Sequence, residues 1–202
     1  MPEKTRWKPG NLVLPAPAAL VSCVDGAGRS NLITIAWCGN INTNPAMLSI
    51  SVMPSRFSHA MLKETGEFVV NLPSRTLARA VDFCGVTSGR DTDKWTACGL
   101  TPLRMEGIAC PGVAEMPVNI ACKVTQSLSL GSHDMFLATV ENIAVTAELI
   151  DRNGRFALEK ADLLCYAHGH YFVLGEQRGF FGYSIRKKKI AKPVRTPKKR
   201  AR

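Results

Sequence analysis

Ser55, Arg56 and Ser58 fall within four positions, in the stretch "SVMPSRFSHAMLKETGEF" from Ser51 to Phe68. Two hydroxyls and a guanidinium suit a phosphate: each hydroxyl can donate one hydrogen bond, and the guanidinium offers a two-pronged charged fork. An apolar strand ends at Val52. Residues Ser58 to Thr65 then have helical spacing, with Ala60, Met61 and Leu62 near one face and Gly66 placed to terminate the helix. The first turn of a helix leaves backbone N–H groups unpaired and carries the positive end of the macrodipole, so an anion there is favoured by roughly 0.3–1 kcal/mol. The serines would equally serve as helix caps, and the arginine would equally face water. Spacing alone leaves both readings open.

Other chemistry has less to stand on. There is no G-x-x-x-x-G-K-[ST] loop, no G-x-G-x-x-G between a strand and a helix, no G-x-S-x-G elbow and no H-E-x-x-H helix. Seven cysteines sit at 23, 38, 84, 98, 110, 122 and 165 without a Cys-x-x-Cys pair, which points to reduced, mostly structural thiols. His168 and His170 in "AHGHYF" would share one face of a strand, but no third ligand is in sight, and no metal site is expected. His59 is read as facing solvent. Asp91 and Asp93 are read as charges of a solvated loop, not as a carboxylate pair for acid–base work. Trp37 is read as core or interface packing.

The elements that must position these residues are mostly strands. "AALVSCV", the glycine turn "DGAGRS" and "NLITIAWCG" read as a hairpin; "NINTNP" breaks the pattern, and "AMLSISV" is a third strand. "EFVVNLP" is another strand, and Ser74 to Gly85 looks helical. A charged loop, "GVTSGRDTDKW", comes next. "VNIACKVTQSLSLG" and "MFLATVENIAVTAELI" then form a long hairpin around the tight turn "GSHD". Sequence-adjacent hairpins with two short helices predict an antiparallel barrel.

These segments carry a resemblance. "SNLITIAWCGNINTNPAMLSISVMPSRFSHAMLKETGEFVVNLPS" (Ser30 to Ser74) closely resembles the flavin reductase-like family of FMN-binding split barrels, in particular its flavoredoxin-type branch. "FCGVTSGRDTDKW" and "GSHDMFLATVENI" support it, and the likeness runs from about Pro15 to Tyr183. The resemblance implies a mainly β, Greek-key split barrel and a homodimer with FMN close to the subunit interface. Asn31, Thr34 and Ala36 would contact the ring edge or the phosphoribityl chain. Ser51, Ser55, Arg56 and Ser58 would line the ribityl and phosphate pocket, and Ser88, Gly89 and Lys94 would help close it. His133, in the tip "GSHD", would lie near the reactive face of the flavin as the candidate catalytic residue. The implied activity is electron transfer from NAD(P)H through bound FMN to a flavin, metal or protein acceptor. An electron carrier reduced by a partner redox protein is the alternative.

Composition bounds what remains. The chain has 202 residues, 46% of them hydrophobic, and a formal net charge of +10. The last stretch, Arg186 to Arg202 ("RKKKIAKPVRTPKKRAR"), carries ten of the 26 Lys and Arg residues and no acid, so 16 basic residues balance 16 acidic ones elsewhere. The expectation is one domain over residues 1–185 and a basic, disordered tail over 186–202. Such a tail could act as a nucleic-acid-binding module or touch an anionic surface. No apolar run approaches the roughly 18 residues of a membrane span, and the opening "MPEKTRWKPG" is polar, so a cytoplasmic location is expected.

Overall fold

Strands form where apolar and β-branched residues alternate. In chain order they are β1 (Ala16–Pro17), β2 (Ala19–Val24), β3 (Ser30–Ile35), β4 (Cys38–Asn42) and β5 (Met47–Val52), followed by helix α1 (Phe57–Thr65) and β6 (Glu67–Leu72). Helices α2 (Ala78–Val86) and α3 (Lys94–Cys98) come next, then the short strands β7 (Pro102–Leu103) and β8 (Gly112–Val113). The long pair β9 (Val118–Ser129) and β10 (Asp134–Val145) precedes β11 (Leu164–Ala167) and β12 (His170–Val173). This computed structural model describes residues 1–186. The expected tail, apart from its first residue, lies outside the described residues.

Seven strands make one antiparallel sheet in the order β3-β2-β6-β9-β10-β5-β4. Its two outermost strands, β3 and β4, are separated in sequence by Ala36 and Trp37 alone. Two residues span only about 7 Å. The sheet must therefore curl until its edges approach each other, and a hydrogen bond from Ser51 N–H to the Trp37 carbonyl (2.9 Å) extends the β4–β5 ladder up to that connection. The result is the expected split barrel, closed everywhere except along the seam between those edges.

Period-two alternation fills the interior. Val21 and Cys23 of β2, Ile33 and Ile35 of β3, and Leu48, Ile50 and Val52 of β5 meet Phe68, Val70, Cys122 and Phe136 in one cluster. Met61 and Leu62 of α1 plug its end. Gly66, in the left-handed region at φ 67°, stops α1 where expected and returns its N–H to Leu62 O. A second cluster, on the outer face of β2 and β3, packs Leu20 and Leu32 against Cys84 and Trp95 and so anchors α2 and α3.

The structure corrects three expectations about elements. "CGNIN" is an edge strand, β4, whose four residues from Gly39 onward are exposed; a strand with almost nothing buried has no hydrophobic signature. The Ser74–Gly85 helix is in fact a 3₁₀ turn, Arg75–Leu77, leading into α2. The loop after it ends in helix α3, capped by Asp93, whose carboxylate accepts from the Trp95 N–H (3.1 Å). Asp93 is thus a structural cap.

Phe68 is fully buried in the barrel interior. Phe68→Ala is expected to lower unfolding free energy by about 3–5 kcal/mol, measured by urea denaturation.

Candidate functional site

The corner between β5 and α1 is held by a hydrogen bond from Arg56 N–H to the Met53 carbonyl (3.0 Å). Arg56 occupies the N-cap position with extended backbone, φ −74° and ψ 139°, and no side chain caps the helix. Serine leads at N-caps because its oxygen satisfies a first-turn amide. Here Ser55 precedes that position and Ser58 follows it, so neither performs the capping role. The capping account of this corner fails, and the amides of Phe57 and Ser58 lie ahead of the helical ladder.

Ser58 is buried, and its Oγ accepts from Asn31 Nδ2 at 2.8 Å, which ties α1 to β3. The Ser58 hydroxyl keeps its own proton for donation. Lys94, the first residue of α3, is only 3% exposed. Its Nζ donates to the carbonyls of Leu32 and Cys84, both at 2.8 Å. An ammonium has three donors, so one is left over. Burial holds the Lys94 amine below its ordinary value. The neighbouring Cys84 and Cys23 thiols oppose that shift, and the Arg56 guanidinium adds to it. Two cations converge here without a carboxylate between them.

Asn31, Ser58 and Lys94 wall a cavity of about 120 Å³ together with Ser55, Arg56, Ser88, Gly89 and Arg90. The loop Ser88–Asp93 folds over it, with the N–H groups of Asp91 and Thr92 both donating to Ser88 O at 3.2 Å. Gly89 makes the close approach possible. A Cβ there would run into Asn31 Oδ1 and come within 2.7 Å of the Phe57 ring. Arg90, which sequence reading passed over as a loop charge, donates to Ser55 O (3.3 Å) and lies over the Phe57 ring at 5.6 Å.

A larger cavity of about 680 Å³ opens along the barrel seam. One lip is Ile33 to Trp37, the other Ser51 to Met53, and Arg56 and Gly85 face both cavities. Thr34 spends its hydroxyl proton on the Val81 carbonyl of α2, which leaves its backbone and oxygen lone pairs to the cavity. Ala36 lines the lip as backbone and methyl. At the mouth the His133 ring lies 4.3 Å from the ring of Trp37, tilted by 45°, and His133 Nδ1 pairs with Ser132 Oγ at 2.9 Å. Trp37 is 44% exposed and packs no core.

All eleven residues singled out in the sequence therefore line one or other of two adjoining cavities, and Arg56 stands between them. The other histidines fall differently. His168 is in the turn between β11 and β12, at φ 48°, so it shares no strand face with His170. No group of three or more His, Cys, Asp or Glu among the described residues could hold a metal. His59 does not face solvent: its side chain is 13% exposed and its Nε2 lies 2.9 Å from Asp134 Oδ2. All seven cysteines are free. Burial pushes the Cys23 and Cys84 thiols up to about 12 and Cys38 to about 11, so they are poor nucleophiles. No helix among the described residues is long and apolar enough to cross a membrane.

Comparison with known proteins places this geometry. The family described as "Flavin reductase like domain" matches residues 12–175. The flavoredoxin of Desulfovibrio vulgaris (Miyazaki F) superposes with a TM-score of 0.85 at 26% identity, covering 91% of this chain and 100% of that one. A flavoredoxin from Methanosarcina acetivorans gives 0.83 at 25%, covering 92% and 100%. The NADH:riboflavin 5'-phosphate oxidoreductase of Streptomyces pristinaespiralis is 22% identical over 126 residues, 62% of this chain and 69% of that protein.

Gly89→Ala is expected to destabilise the chain by about 1–3 kcal/mol, the range for overpacking, because the loop must lift off Asn31 and Phe57. Equilibrium unfolding checks it.

Proposed function

Because the chain belongs to the flavin reductase-like family of FMN-binding split barrels, we propose that it binds FMN along the barrel seam and works as an oxidoreductase drawing electrons from NAD(P)H. One observation carries the reading: a small cavity walled by a buried, carboxylate-free lysine and an arginine adjoins a larger cleft with both polar and apolar walls. That pairing matches a molecule with a dianionic end and a flat ring system. FMN when bound would supply hydride and single-electron chemistry that no side chain here can provide.

The chain's own residues then have definite tasks. Lys94 Nζ, the Arg56 guanidinium, the Ser55 and Ser58 hydroxyls and the first-turn amides of α1 would hold the phosphate, with Ser88 and Gly89 closing over it. Asn31 fixes Ser58, and Ser51 lies where the ribityl chain would pass. The backbone from Thr34 to Ala36 would face the ring edge, and Val52 and Val86 would exclude water. His133, braced on Trp37, would offer an imidazole N–H beside the ring. A homodimer belongs to the same reading, since the cleft mouth at Trp37 is open to a second copy. The acceptor would be a flavin, a metal or a protein.

A second reading is favoured by the likeness to two flavoredoxins: an electron carrier reduced by a redox protein instead of by nicotinamide. Mixing the FMN-loaded protein with NADH and with NADPH in a stopped-flow instrument separates them. Bleaching of the flavin band is expected with at least one. Bleaching with neither favours the carrier. The third possibility, nucleic-acid binding, concerns the tail at positions 186–202, which apart from Arg186 lies outside the described residues.

Arg56→Ala is expected to weaken FMN by about ten- to a hundredfold, as loss of a charged hydrogen bond does, and riboflavin far less. Equal losses in a fluorescence titration would overturn the pocket assignment.

Lys94 gives a pH signature. Its folded pKa is lowered from the ordinary 10.5, and a bound phosphate would pull it back up. As pH rises through that lowered value the ammonium charge is lost. The ratio of FMN to riboflavin affinity, in which titration of the shared ring cancels, should therefore shrink as pH rises toward 10.5. The flavin-free protein should gain stability over the same range, because the unfolded chain keeps the proton longer.

A further inference from the structure

His59 and Asp134 form a close pair outside both cavities. His59 is the third residue of α1, the helix whose start forms the anion pocket; Asp134 opens β10, directly after His133. Their side chains are 13% and 11% exposed, and the 2.9 Å contact joins His59 Nε2 to Asp134 Oδ2. The imidazole also packs edge-on against Phe136 at 5.6 Å. One turn later on the same helix face, Lys63 Nζ donates to Ser127 Oγ at 3.2 Å. Residues four apart lie on one face of a helix. α1 is thus tied twice to the end of the β9–β10 hairpin, at Asp134 and at Ser127.

Up to Asp134 the hairpin is paired with β5, Asp134 lying opposite Val52, and beyond it the tip is held by its own turn and by the Trp37–His133 contact. Its turn is closed by Leu130 N–H to the His133 carbonyl (3.0 Å), and Leu130 is exposed. Asp134 stays ionised, because the hydrogen bonds from His59 and then Ser129 hold its carboxyl below the usual range, with Lys63 adding to the effect. An ionised carboxylate is an acceptor only. An Nε2–H on the imidazole can donate to it.

We propose that His59 is a positioning residue. Its bond to Asp134 clamps the hairpin tip, and with it His133 and the Trp37 ring it leans on, to the helix that begins the anion pocket. The cleft mouth and the phosphate end of the site then keep a fixed spacing. The catalytic consequence rests on the FMN reading above; the clamp itself does not.

The test uses the full chain with His59→Leu, which removes the donor, and His59→Gln, which keeps an N–H donor. Hydrogen exchange is followed by mass spectrometry in a peptide spanning Leu128 to Phe136, without flavin. His59→Leu should speed exchange at the tip by about tenfold or more, and His59→Gln should stay within about threefold of the parent. In FMN-loaded protein, His59→Leu should slow flavin reduction by NAD(P)H by about tenfold and leave the FMN-to-riboflavin affinity ratio unchanged, since the anion pocket is intact. Should His59→Leu fail to fold, Asp134→Ala removes the acceptor and must give the same pattern. Unchanged exchange at the tip, or glutamine behaving like leucine, overturns the clamp. A parent protein that takes up no FMN would sink the flavin reading alone, and the exchange experiment would still decide the clamp.

Discussion

A lysine with almost no solvent access and no carboxylate beside it is a costly thing to build. Removing an ammonium from water carries a penalty of several kcal/mol, which a carbonyl or two offsets only in part. Lys94 accepts that cost with two carbonyls arranged to suit, Leu32 from β3 and Cys84 from α2, and with open space toward Ser58 and Arg56. An anion in that space would supply the missing counter-charge. Much of the surrounding architecture follows from holding this cation in place. Trp95 and Cys84 pack α3 and α2 on the outer face of β3, Asp93 caps α3 so that the next residue points inward, and the Ser88–Asp93 loop lies over the pocket because Gly89 has no side chain to prevent it.

The second constraint is topological. A seven-stranded sheet whose two edge strands are joined by two residues has to close on itself, but its edges cannot pair along their whole length while the chain passes between them. The seam that remains is a groove with backbone on both lips. Ligands that need backbone donors and acceptors beside an apolar floor fit such a groove. Edges left open are usually a hazard for aggregation. Here the cleft itself lies along the open edge, with the Trp37–His133 contact at its mouth. Site and fold are consequences of the same closure.

Much of this was legible in the sequence, and the reasons for the exceptions are physical. The alternation in β2, β3, β5, β6, β9 and β10 marked the barrel, because those strands bury one face or both. The corner Ser55–Arg56–Ser58 stood out because two hydroxyls and a guanidinium lay where a strand gives way to a helix; the family resemblance, not spacing, decided what they were for. β4 was missed because it buries almost nothing. His59 was misread for a related reason. Its partner is 75 residues away, and a pairing across that distance depends on the register of β10 against β5, which local pattern does not reveal. Lys94 was placed at the site, but its burial was not foreseeable: in sequence it is one more charge in "SGRDTDK".

That last case shows what kind of residue a charge-rich loop can conceal. A solvated loop and an anion-binding loop have the same composition. They differ in whether one cation is drawn beneath the chain, where its desolvation must be offset by a ligand, or is left outside, where it interacts weakly with everything. Asp91, Asp93, Arg90 and Lys94 divide along that line. Asp93 turns back to cap a helix, Arg90 lies over the Phe57 ring, Asp91 stays exposed, and only Lys94 is buried. The division follows from backbone geometry. α3 begins at Lys94, and the helical turn rotates its side chain under the loop toward β3. Lys94 thereby becomes the buried positive charge of the pocket, with its ammonium on the Leu32 carbonyl.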